Sequence, residues 1–206
     1  MLPSTDMVRV YECSIQGTNA VHLVDTPGLD GHESREQIIL QEVEQSDIVL
    51  WILKANQPSR SLDLEFLKKI YELYQQTENR SRKKALFIGV VNQVDRLKPH
   101  QEWQPPYDLE ALVSQKAKTI KDALDHNKSI LNLDAWVAVS VAPDRSHFNV
   151  PKLISLLEEH YDNALQVQLN RKIMQSVREF KIYENLQRTK NAASKLFKTI
   201  NYKKNN

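Results

Sequence analysis

The 206 residues are 41% apolar and 26% charged, a globular balance in a chain long enough to bury a core and still carry an appendage. A single cysteine, Cys13, excludes an internal disulfide. No apolar run reaches the roughly 18 to 20 residues that a membrane-spanning helix needs, and the opening MLPSTDMVRV is unlike a secretion signal, so a reducing cytoplasm is the expected compartment. The net charge of +2 hides an asymmetry: residues 166 to 206 carry ten basic and two acidic side chains, which leaves residues 1 to 165 at −6.

Residues 7 to 14 (MVRVYECS) alternate as a strand does, Gln16-Gly17-Thr18-Asn19 is turn chemistry, and Ala20 to Val24 follow as a second strand, so the start reads as a hairpin ending at Asp25. Glu33 to Gln45 places Ile38, Ile39, Glu42 and Val43 at helical spacing. Asp47 to Lys54 (DIVLWILK) is nearly all apolar, as a strand covered on both faces must be. Leu62 to Tyr74 is again helical, and Ala85 to Val91 (ALFIGVV) is a second buried strand running into Asn92-Gln93-Val94-Asp95. After a Pro-rich connection from Lys98 to Tyr107, a long helical pattern is predicted from Leu109 to about Asn127. Ala135 to Val141 is the last strand, and Val150 to Tyr161 is the helix that packs back over the sheet.

Strands alternating with helices at this spacing predict an α/β fold with a mainly parallel sheet and helices on both faces, and in such sheets ligands sit at the carboxyl ends of the strands. The chemistry-bearing residues fall there. Val21 to Val24 reads as a buried strand that delivers Asp25 to the Thr26-Pro27-Gly28 turn. A carboxylate at a strand end with glycine three residues on suits a magnesium shell and a terminal phosphate, the glycine amide approaching the phosphate. Asn92 and Asp95 follow another strand, and Ser140 and Val141 a third.

In these motifs the sequence resembles the Era-like branch of bacterial GTPases, including prophage-associated relatives, over about residues 3 to 160. The resemblance implies a P-loop NTPase-like three-layer domain that binds GTP or GDP with Mg2+. It assigns Asp25 to Gly28 to a magnesium- and γ-phosphate-sensing turn. Asn92-Gln93-Val94-Asp95 stands in the place of the guanine-reading Asn-Lys-x-Asp, and Ser140-Val141 in the place of a Ser-Ala pair that offers a backbone amide to the guanine carbonyl. Asp95 also has a reason independent of the family. A carboxylate accepts two parallel hydrogen bonds from the guanine ring N–H and amino group, whereas adenine presents no such pair, and an unpaired buried acceptor costs about 1 to 3 kcal/mol.

The sequence departs from that pattern in two ways. Gln93 replaces the usual lysine; it can pack along a base but supplies no charge, so affinity should fall more than specificity. No G-x-x-x-x-G-K-[ST] occurs: the four glycines, Gly17, Gly28, Gly31 and Gly89, begin no such loop. The expected domain therefore lacks the family's first strand, phosphate loop and first helix, as a truncated form with weakened or lost nucleotide binding, or one needing that segment in trans. The absent strand would lie between residues 20 to 24 and 48 to 53. Thr5 stands where the magnesium-binding switch threonine would lie, and Leu29 matches the apolar residue of the Era-like branch, which implies slow intrinsic hydrolysis.

The expected division is a partial G domain over residues 1 to 163 and a basic helical tail over 164 to 206. In the tail Leu169, Ile173, Val177, Phe180 and Tyr183 fall at helical spacing. Such a helix suits RNA or the ribosome, an anionic membrane surface, or packing of its apolar stripe on the domain or another subunit; the regular apolar spacing and scattered lysines favour packing. A non-catalytic interaction module acting through this helix is the alternative to nucleotide binding. The six histidines show no metal-ligand spacing.

Overall fold

The computed structural model describes residues 7–14, 20–76 and 83–204. Its strands form two separate sheets. β1 (Arg9–Ser14) and β2 (Ala20–Asp25) pair antiparallel, from Arg9 opposite Asp25 to Ser14 opposite Ala20. The expected hairpin is therefore present, and its turn lies outside the described residues. β3 (Ile48–Lys54), β4 (Leu86–Asn92) and β5 (Ala135–Ala138) form a parallel sheet in that order. β4 is its centre, paired on both sides and buried from Leu86 to Val91, which is why its sequence is apolar without alternation.

Helices cover both faces. On one face α1 (Glu33–Gln45) and α2 (Ser61–Gln75) lay Val43, Phe66, Leu67, Ile70 and Tyr74 against Trp51, Leu53 and Phe87. Beside them α3 (Gln115–Ile130) packs Ile120 and Leu124 on Val91 and Ala138. On the other face α4 (Val150–Glu159) sets Leu153, Leu156 and Leu157 over Ile88, Val90 and Val137. A Cβ at Gly89 would come within 2.3 Å of the Trp136 ring, so only glycine lets that indole lie on the central strand. The result is a mixed α/β domain with a parallel sheet flanked by helices, the arrangement of P-loop GTPase-like domains.

Three expectations about individual elements change. The long helix does not begin at Leu109. The Asp108 carboxylate accepts from the amides of Glu110 and Ala111, Leu112 turns left-handed at φ 51°, and the helix starts only where Ser114 Oγ accepts from Ala117 N at 3.0 Å. The last strand stops at Ala138, although Val139 N still donates to Val91 O at 2.9 Å. β2 is not a buried strand: its described neighbour is β1 alone, and Leu23 is 47% exposed. No described strand runs between β2 and β3, so β3 is an edge strand, and Ile52, beyond the cover of α4, is 64% exposed.

After a break at His160 the chain continues as one 44-residue helix, α5 (Tyr161–Lys204). Its first turns pack on the body: Val167 is buried, Lys83 N donates to Asn170 Oδ1 at 2.8 Å, and Arg171 pairs with Asp47 at 2.9 Å. Among the described residues no helix is long and apolar enough to cross a membrane.

Candidate functional site

β4 ends at Asn92, and the loop beyond it is held by bonds to three other segments. Asn92 O accepts from Ala55 N at 2.8 Å, which ties the end of β4 to the end of β3. The Asn92 carboxamide oxygen accepts from Gln93 N at 2.7 Å, bracing the bend from inside. Gln93 is left-handed (φ 62°), a conformation that costs a non-glycine residue energy, and its Oε1 is buried without a hydrogen-bond partner among the described residues. Val94–Arg96 then form a single 3-10 turn.

That turn delivers Asp95 to a buried position, 4% exposed, where one carboxylate oxygen accepts from Ser140 Oγ at 2.6 Å. Ser140 is fully buried just past β5, fixed by reciprocal backbone bonds with Phe148 at 3.1 and 3.0 Å. Its amide is therefore committed to Phe148, and Val141, 49% exposed, is the more accessible member of the pair. An ionised carboxylate has about four acceptor positions, so the bond from Ser140 orients Asp95 while leaving capacity for a ligand donor pair. The structure thus brings Asn92, Gln93, Asp95, Ser140 and Val141 together at the carboxyl end of the parallel sheet.

Sequence reasoning missed the residue beneath this loop. Lys116, in the first turn of α3, is fully buried; its Nζ donates to Asp95 O at 3.0 Å and to Leu97 O, and sits 5.4 Å from the centroid of the Trp103 ring. Burial pushes its ammonium below the usual lysine range, a cost that the nearby Asp95 charge partly offsets. Arg60 was missed as well: 5% exposed, it donates to Lys54 O at 3.0 Å and to Asn127 Oδ1 at 2.6 Å, locking the end of β3 to α3. Nothing in the local sequence marks either residue, and only a fold that buries them reveals the role.

The other predicted residues lie on a different sheet. Asp25 is the last residue of β2, opposite Arg9, Thr26 is half-buried and Pro27 is fully buried. The loop then returns toward the carboxyl rim of β3, because Leu29 packs on the cluster around Trp51 and Phe66, and a Cβ on Gly31 would lie 3.6 Å from Leu62. A Cβ at Gly28 would meet no atom of the described residues within 4 Å, so none of them demands glycine there. Thr5 lies outside the described residues. Among the described residues no cluster of three or more His, Cys, Asp or Glu could hold a metal. Asp25 is thus a single candidate carboxylate, a donor set that would suit a magnesium ion held mostly by water or phosphate oxygens.

The profile of the Dynamin family matches residues 3–94, from ahead of the hairpin to the turn after β4. That family is built on a GTPase-type G domain of the P-loop superfamily, and its G domains bind guanine nucleotide, typically with Mg2+. No curated protein matches the chain.

Proposed function

We propose that this chain forms the guanine-reading half of a GTP-binding site, in a cytoplasmic protein of the Era-like GTPase type. Asp95 accepts from the guanine N1–H and amino group, Asn92 braces the loop, Gln93 packs along the base, and the Val141 amide faces the guanine carbonyl. Asp25 holds water around magnesium, with Thr26 and Pro27 shaping the turn and Gly28 giving its amide to the terminal phosphate. Magnesium supplies charge neutralisation at the phosphates when bound. The observation that carries this reading is the buried Asp95 carboxylate fixed by Ser140 at 2.6 Å at the end of the central strand.

The phosphate-binding loop is absent from these 206 residues. The place it would enter is supported by the open edge of β3, the exposed Ile52 and the separation of β2 from the parallel sheet. A strand carrying that loop, supplied from outside the 206 residues, would join the two sheets. Titration with a fluorescent GDP analogue tests the base-reading half directly. Asp95→Ala should weaken binding about tenfold to a hundredfold, as loss of a charged hydrogen-bond pair worth roughly 1.5 to 3 kcal/mol implies; equal binding by wild type and Asp95→Ala would refute it.

One observation favours the second reading, an interaction module acting through α5: the apolar stripe of that helix does not pack on the domain. A chain that binds a partner through α5 while showing no preference for GDP over ADP would establish this reading in place of the first.

A further inference from the structure

α5 has two unlike sides. Val167, Asn170 and Arg171 face the body, whereas Leu169, Ile173, Val177, Phe180 and Tyr183, from 42% to 63% exposed, form a stripe turned about 130° away at 100° per residue. The helix rises about 66 Å over its length and carries that stripe past the body. The five apolar positions are spaced four, four, three and three residues apart, an average of 3.5 residues, which is the period of a two-helix seam.

We propose that this stripe pairs antiparallel with the same stripe of a second copy of the chain. The antiparallel register sets Leu169 opposite Tyr183 and Ile173 opposite Phe180, with the two-fold axis near Ser176 and Val177. The flanking charges then match: Lys172 of each copy falls opposite Glu179 of the other. A parallel pairing instead brings Glu179 beside Glu184 of the other copy, like charges at a seam. The charge gradient of the sequence agrees, since residues 188 to 204 hold basic and no acidic residues, and the antiparallel register directs them toward the end that carries Glu158, Glu159 and Asp162. An anionic membrane fits less well, because Glu179 and Glu184 border the stripe on opposite sides and a phospholipid surface would repel both.

The test is the mass of the full chain in solution by light scattering and sedimentation, across micromolar concentrations. Wild type should reach twice the 23.9 kDa monomer mass, and Phe180→Glu, at an exposed site, should be monomeric with unchanged helical circular dichroism. Lys172→Glu and Glu179→Lys should each weaken the dimer about tenfold, as two symmetric pairs turned repulsive imply, and the double variant should recover to within about twofold of wild type. In a Cys13→Ser background, Leu169→Cys mixed with Tyr183→Cys should cross-link, and Leu169→Cys alone should not. Four results would overturn the proposal: a monomer at every concentration, a dimer indifferent to Phe180→Glu, a double variant no better than its parents, or Leu169→Cys cross-linking to itself. Binding of the wild-type monomer to phosphatidylserine vesicles through the stripe would overturn it too.

Discussion

Asp95 and Asp25, the two carboxylates proposed to serve one nucleotide, stand in protein of very different quality. Asp95 is buried at the end of a strand paired on both sides, oriented by Ser140, with its backbone gripped by Lys116. Asp25 is exposed, at the end of a two-stranded hairpin whose apolar residues Val10, Tyr11 and Leu23 remain largely in solvent. A two-stranded ribbon alone is marginal in water, whereas a covered parallel sheet is a core. The contrast teaches that the proposed base-reading residues stand on the covered core of this chain, whereas the proposed phosphate and metal residues stand on a two-stranded ribbon outside it.

The sharpest way to break that contrast is to cut each region at an apolar side chain. Ile88→Ala, fully buried on β4, should cost about 2 to 5 kcal/mol in chemical denaturation, and Leu23→Ala, half-exposed on β2, less than about 1 kcal/mol. Equal costs would mean that the hairpin belongs to the same cooperative core. Ser140→Ala comes next: it strips the buried Asp95 oxygen of its donor and should cost about 1 to 3 kcal/mol of stability as well as guanine affinity. Gly28→Ala should leave stability within about 0.5 kcal/mol, because its Cβ meets no atom of the described residues, yet weaken GTP more than GDP where the methyl crowds the terminal phosphate. The smallest effect is a slope. Because burial lowers the Lys116 pKa, the folded chain binds fewer protons than the unfolded one between that lowered value and the unfolded lysine value of about 10.4, so over this window the residue makes stability rise with pH. Lys116→Met should flatten the rise, measured as the difference between the two pH profiles; parallel profiles would show that the ammonium is not desolvated.

The parts of this molecule legible in the sequence are those in which local pattern and tertiary burial agree. ALFIGVV reads as a buried strand because β4 is buried on both faces, and Glu33–Gln45 reads as a helix because one side of it lies on the core. Asp95 and Ser140 were legible because the spacing of their segments placed both at strand ends, and the structure joins them by a hydrogen bond. The start of α3 was not: Leu109 continues the helical period, but the Asp108 side chain captures two amides that a helix would use, and periodicity is blind to that competition. The exposure of β2 was also hidden, since an apolar strand looks the same with a neighbour or without one. Lys116 and Arg60 could not be singled out because a buried cation differs from a solvated one only in what surrounds it.

The central claim is that the end of the central strand reads guanine. Its most direct test needs no phosphate loop and tolerates weak binding: backbone amide shifts of the 15N-labelled chain during titration with GDP and, separately, ADP. The account predicts saturable shifts at Gln93 to Arg96 and at Ser140 and Val141 with GDP, and none there with ADP. Shifts of equal size with both nucleotides, or none at these amides at saturating GDP, would contradict it.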